Sequence, residues 1–128
     1  MEILGTGVDI VENLRIKKSL QNKKFISRIF SSNEILLSKK FKNKTNYYSK
    51  RFAAKEAFAK SIGTGFRDGL NFKDVSIINN KLGKPSFLIT DKLKKIVKRQ
   101  FRTSSFNFFL SISDEKKYSI ALVILQKN

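Results

Sequence analysis

The stretch RFAAKEAFAKSIGTGF, residues 51–66, constrains the fold more than any other. Ala53, Ala54, Ala57 and Ala59 are strong helix formers, and with the tyrosines before them they predict one long helix over residues 47–62, closed by Gly63 as a left-handed cap. Such small side chains let a helix approach a sheet closely. Yet Glu56 and Lys60 ride on it one turn apart, and burying either charge without a partner is costly. Either they form a solvated i,i+4 pair, or a site uses both charges.

The flanking sequence supplies the sheet and the remaining helices. EILGTGVDIV alternates with the period of a strand: Leu4, Thr6, Val8 and Ile10 fall on one face, Ile3, Gly5, Gly7, Asp9 and Val11 on the other. Residues 14–29 carry helical spacing for one or two short helices. Ser31 and Glu34 have the spacing of a capping box, which starts a further helix at Ser31 or Ser32. After the GTGFRDG loop, DVSIIN and PSFLIT read as strands joined by NKLGK, which has the Asn/Gly chemistry of a hairpin. TDKLKKIVKRQF is an amphipathic helix with a Thr90/Asp91 cap and Leu93, Ile96 and Val97 inward. FNFFLSIS and YSIALVIL make a second hairpin around DEKK. This order predicts an α+β fold, a small antiparallel sheet packed with helices in a single domain over residues 1–128.

Composition narrows the chemistry. With no Cys and no His, disulfides, thiolate nucleophiles, Cys/His zinc sites and imidazole acid–base catalysis are excluded. No window approaches the roughly 20 apolar residues of a membrane span, and Glu2 stands where a secretory leader has basic residues, so a soluble cytoplasmic protein is expected. Lys and Arg total 27 against 10 Asp and Glu, a net charge of +17 that predicts an acidic or phosphate-rich partner. Acidic residues are therefore scarce. Caps account for Glu34 and Asp91, turns for Asp68, Asp74, Asp114 and Glu115, and the ends of the first strand for Glu2 and Glu12.

Asp9 and Glu56 remain. Asp is unfavourable inside a strand, and the two glycines beside Asp9 clear its face, so open space there suits a bound ion or a phosphate-rich ligand; an edge or cap role is the plainer reading. If Asp9 and Glu56 converge, they form an oxygen-rich site fit for Mg²⁺, which takes one or two carboxylates and completes its shell with water and phosphate. Lys60 would then meet that phosphate. Neither glycine loop is a standard nucleotide motif: GTGVD lacks the third glycine of a dinucleotide fingerprint, and GTGFRDG lacks Gly-Lys-Ser/Thr.

GTGVDIVENLRI, with Gly7, Asp9, Ile10 and Arg15, and RFAAKEAFAKSIGTGF, with Phe52, Ala53, Ala54, Lys55, Glu56, Ala57 and Lys60, together resemble the holo-acyl-carrier-protein synthase family, the small bacterial type of 4′-phosphopantetheinyl transferase. IFSSNE, GKPSF and SISDEKKYSIALVIL extend the resemblance over essentially the full chain. It implies a homotrimer with active sites between subunits. The implied reaction moves 4′-phosphopantetheine from coenzyme A to a serine of apo-acyl carrier protein. Asp9 and Glu56 would hold Mg²⁺, Lys60 would steady the phosphate charge, and Glu56 or a water on the metal would take the serine proton. Arg51, Lys60, Gly63, Thr64 and Gly65 would contact coenzyme A. Arg15, Lys18, Lys24 and Arg28, with Lys17 and Lys23, would receive the acidic carrier protein, which accounts for the charge without nucleic acid or membrane.

One position departs from the family pattern. The resemblance places a His after SIS, in contact with the coenzyme A 3′-phosphate, and this chain has Asp114 there. Either Lys116, Lys117 or Arg51 takes over that contact, or coenzyme A binding is altered. Two alternatives follow: a family member that binds carrier protein without catalysis, and a basic nucleic-acid-binding protein with Phe106, Phe108 and Phe109 near cations. The second is weakened because FNFF lacks the flanking basic residue and glycine of an RNP motif.

Overall fold

The computed structural model describes all of residues 1–128. Strand β1 (Glu2–Glu12) leads into four helices, α1 (Asn13–Ser19), α2 (Lys23–Ile29), α3 (Ser32–Ser38) and α4 (Lys44–Ile62). A single 3₁₀ turn (Phe72–Asp74) and the short strands β2 (Ile77–Asn79) and β3 (Pro85–Phe87) precede α5 (Asp91–Phe101), β4 (Phe106–Asp114) and β5 (Tyr118–Lys127). Residues 14–29 break into two helices because the Asn22 side chain accepts from the Lys24 amide at 2.9 Å and starts the second. Helix α4 starts a turn before the tyrosines, where Asn43 caps it through the Asn46 amide at 3.0 Å. Thr90 caps α5 in the same way through Leu93.

The strands form two antiparallel sheets, a three-stranded one in the order β1-β5-β4 and the separate hairpin β2-β3. The hairpin is shorter than its sequence pattern suggests: Asp74 ends the 3₁₀ turn, and only three residues pair on each side. Pro85, the first residue of β3, has no N–H to extend a ladder. The ideal alternation of β1 also slips once, at a register shift between Ile3 and Gly5.

Helix α4 lies across the inner face of the three-stranded sheet. A Cβ on Gly7 would stand 1.9 Å from the Ala57 carbonyl oxygen, and one on Gly5 would stand 1.9 Å from that of Ser61. The glycines therefore admit the helix backbone itself. The space they clear, expected to take an ion or ligand, is filled by α4. Ala121, Val123 and Leu125 of β5 continue this buried face. The outer face of the same sheet is apolar and bare. Val8 pairs with Leu122 and Ile10 with Ile120, and these four residues with Phe109 are each at least 40% exposed.

One ion pair sits wholly inside the protein. The side chains of Lys55 and Glu34 are both 0% exposed, with Nζ 2.7 Å from Oε1. Lys55 also donates to the Phe72 carbonyl at 3.1 Å and to that of Val75. Glu34 completes its capping box with the Ser31 amide at 2.9 Å and accepts from the Ile77 amide at 3.1 Å. Burial pulls the Lys55 ammonium below its ordinary value, and Glu34 opposes that pull. Lys55→Met leaves the Glu34 carboxylate buried without its counter-charge, so urea unfolding should show a loss of about 3–5 kcal/mol. A loss within about 1 kcal/mol would show that the pair contributes little to the fold.

Candidate active site

Asp9 sits in the middle of β1 on the face toward α4, opposite Ala121 in the ladder. From α4, Lys60 reaches across to the strand: its Nζ donates to the Val8 carbonyl at 2.9 Å and lies 3.3 Å from Asp9 Oδ1. Glu56 takes part in none of the four ion pairs of the chain, so Glu56 and Lys60 are not a self-contained helix-surface pair. The Lys60 side chain is 54% exposed and that of Asp9 is 16% exposed. The cluster thus opens to solvent at its cationic end.

Arg15, on α1, is exposed and close enough for its charge to act on both carboxylates. Its position follows from Asn13, whose Nδ2 donates to the carbonyls of Glu115 at 2.9 Å and Lys116 at 3.2 Å. Asn13 Oδ1 accepts from the Ser119 hydroxyl at 2.8 Å. The start of α1 is thereby fastened to the turn between β4 and β5. Asn13 escaped the sequence reading because its partners lie about a hundred residues away along the chain.

Both carboxyl groups are half-buried and both titrate above their ordinary range. For Asp9 the main cause is burial, opposed by Lys60 and then Arg15. For Glu56 it is burial first and the negative charge of Asp9 second, opposed by Lys60 and Arg15. Two oxygen donors that repel one another suit a hard cation, which relieves the repulsion. No third acidic residue joins them, so an ion here would complete its shell with water and phosphate oxygens, the habit of magnesium.

The loop after Lys60 is shaped by glycine. Gly63 (φ 91°) ends α4 and returns its N–H to the carbonyls of Ala59 and Lys60, and Gly65 (φ 64°) repeats the left-handed conformation that favours glycine. Thr64 is half-buried between them, and Phe66 stacks on Phe72 with ring centres 3.7 Å apart.

Arg51 lies elsewhere. It is only 4% exposed, donates to the Tyr47 carbonyl at 3.3 Å and Asn79 Oδ1 at 2.9 Å, and covers the Tyr47 ring. With Lys50, Asn79, Gly83 and Asp114 it lines a depression of about 150 Å³. Asp114 is the last residue of β4 and pairs with Ser119; it is not a turn residue as its sequence context suggested. Of the three cations named as replacements for the family His, Arg51 shares this depression with it. Lys18 projects from the last turn of α1, while Lys24 and Arg28 line an open groove of about 500 Å³ floored by Phe25, Ile29, Phe66 and Phe72.

The raised carboxyls carry a stability cost with a definite sign. As pH rises, the unfolded chain releases these protons first, so stability falls between the ordinary carboxylate range and the raised native values, and the cost is complete above them. Glu56→Gln removes one charge and relieves Asp9. Its melting temperature should exceed that of the natural protein at neutral pH, and the difference should vanish near about pH 3, where both carboxyls are protonated in either state. A lower melting temperature at neutral pH would show that Glu56 is held by stabilising contacts.

The 4′-phosphopantetheinyl transferase superfamily model matches residues 5–123. A holo-[acyl-carrier-protein] synthase of Pelagibacter ubique (strain HTCC1062) is 74% identical over 127 residues, 99% of each chain. The crystal structure of holo-[acyl-carrier-protein] synthase from Neisseria meningitidis matches with a TM-score of 0.89 at 38% identity, covering 98% of this chain and 100% of that one. A holo-(acyl-carrier-protein) synthase from Bacillus anthracis str. Ames in complex with CoA (3′,5′-ADP) matches at 0.82 and 34%, covering 98% of each. By fold and sequence, this chain belongs to the holo-acyl-carrier-protein synthase family of 4′-phosphopantetheinyl transferases.

Proposed function

We propose that the protein transfers 4′-phosphopantetheine from coenzyme A to a serine of an apo-acyl carrier protein and releases adenosine 3′,5′-bisphosphate. The observation that carries this is the convergence of Asp9, Glu56 and Lys60 where β1 meets the end of α4. Asp9 and Glu56 would hold Mg²⁺, which supplies positive charge to the coenzyme A pyrophosphate. Lys60 has three donors, of which Val8 and Asp9 take two, leaving one for a phosphate oxygen. Its ammonium offsets charge as the serine oxygen bonds to phosphorus and the bond to the departing nucleotide breaks. Glu56, or a water on the metal, would take the serine proton.

The other expected site residues fit around this centre. Gly63, Thr64 and Gly65 follow Lys60 directly, and we assign them with Arg51 to coenzyme A. Lys24 and Arg28 line a groove whose floor is aromatic, which suits an acidic protein with an apolar docking face, and we assign Lys18 and Arg15 on α1 to the same partner. We assign the bare outer face of the sheet to contact between copies of the chain in the homotrimer that the family resemblance implies. The compartment that goes with these substrates is the cytoplasm, and no helix is long and apolar enough to cross a membrane.

Intact-mass spectrometry of an apo-acyl carrier protein incubated with this protein, coenzyme A and Mg²⁺ should show the gain of one phosphopantetheine, abolished by EDTA. Glu56→Ala and Lys60→Ala should each lower turnover at least ~100-fold. Near-normal rates would remove those roles, and no gain with any carrier protein would leave the binding-only alternative. In light scattering the natural protein should have three times the chain mass, and Ile10→Lys with Leu122→Glu should give folded monomers. An unchanged mass in that variant would place the contact between copies on another face.

A further inference from the structure

Helix α4 carries its charged side chains in two seams. Arg51 and Lys55, one turn apart, reach the segment that leads into β2 and β2 itself: Arg51 donates to Asn79 Oδ1 at 2.9 Å, and Lys55 to the carbonyls of Phe72 at 3.1 Å and of Val75. Glu56 and Lys60 form the second seam, on the side of β1, where Lys60 meets the Val8 carbonyl and Asp9. Neighbouring residues on a helix project about 100° apart. The direction of Lys55 therefore sets the direction of Glu56.

The apolar side chains of α4 do not fix that direction as a stripe would. A surface helix takes its rotation from one apolar face, but 13 of the 19 residues of α4 are buried, and the five from Arg51 to Lys55 are buried in succession, more than one full turn. Ala53, Ala54, Ala57 and Ala59 add small, similar surfaces within this buried region. Lys55 differs because its ammonium is directional. It is wholly buried, 2.7 Å from a carboxylate of α3 whose oxygens are themselves held by the Ser31 and Ile77 amides. We propose that Lys55 and Glu34 are a positioning pair for the metal site: they index the rotation of α4 so that Glu56 stands toward Asp9, and the affinity of the two carboxylates for a divalent cation depends on this pair although neither member touches the cation. This rests on the reading of Asp9 and Glu56 as metal ligands.

Mn²⁺, whose free form is counted by electron paramagnetic resonance, reports the site in the whole chain without substrate. Lys55→Met should weaken Mn²⁺ binding roughly tenfold, the size of effect that residues standing behind metal ligands have on affinity. The Mg²⁺ concentration for half-maximal turnover should rise by the same factor. Adding Glu34→Leu removes the uncompensated buried carboxylate, so the double variant should withstand more urea than Lys55→Met alone, while its Mn²⁺ affinity stays low. A pair that served stability only would give back the affinity with the stability. If Lys55→Met alone does not fold, the double variant decides. Natural affinity in Lys55→Met, natural affinity in the double variant, or failure of both to fold would each overturn the proposal. So would a natural protein whose Mn²⁺ binding is absent or survives Asp9→Ala, since there would be no carboxylate site to position. Mn²⁺ binding with no transfer to any carrier protein removes the transferase reading instead, and the dissociation constants still decide the role of Lys55.

Discussion

The buried Lys55–Glu34 pair sets the orientation on which the rest depends. Glu34 belongs to α3, Lys55 to α4, and the carbonyls of Phe72 and Val75 to the segment leading into β2, so three parts of the chain meet at one ammonium group. A buried ion pair of this kind is weak evidence for net stability, since well-packed apolar residues can do as well. Its value here is directional. Successive side chains on an α-helix project about 100° apart. Fixing Lys55 in the core therefore fixes the rotation of α4 and turns Glu56 out of the core toward β1. One residue is spent on holding the helix, and the next is free for chemistry.

Rotation alone does not bring Glu56 to Asp9, because the helix must also come close. Gly5 and Gly7 supply that closeness by letting the Ser61 and Ala57 carbonyls rest against the β1 backbone. The approach puts Lys60 within reach of a strand carbonyl as well as of Asp9, which explains why its ion pair crosses to the sheet. The position of the carboxylate pair is thus determined by two missing side chains and one buried charge, none of which touches it.

What could be read from the sequence divides along this line between local and distant causes. The Ser31/Glu34 capping box, the Thr90 cap and the Gly63 helix end were all legible, because each depends on residues within one turn of chain. The second role of Glu34 was not, since Lys55 lies 21 residues further on and nothing nearby marks it as a partner. The alternation of β1 correctly showed which face carries Asp9, but alternation cannot say what covers a face, and α4 took the space that seemed open to a ligand. Asp9 and Glu56 themselves stood out by elimination in a chain with few acids. Arg51 and Asp114 show the opposite limit: motif position suggested a coenzyme A contact for Arg51 and a lost one at Asp114, while the burial of Arg51 and the bond from Asn46 to Asp114 appear only in three dimensions.

The electrostatic arrangement of the site accounts for its cost. In a chain of net charge +17, two carboxylates could each have been paired and exposed, yet Asp9 and Glu56 are half-buried and face one another. Desolvation dominates both, and the cations that oppose it, Lys60 and Arg15, stand toward solvent where salt and water weaken them. Such an arrangement sets two carboxylates close together in a chain whose net charge is strongly positive. A polyanion drawn in by that charge would be repelled at this point, and a divalent cation at the carboxylates reverses the repulsion. Strain of this kind, stored by the fold, would be released by a cation bound between the two carboxylates.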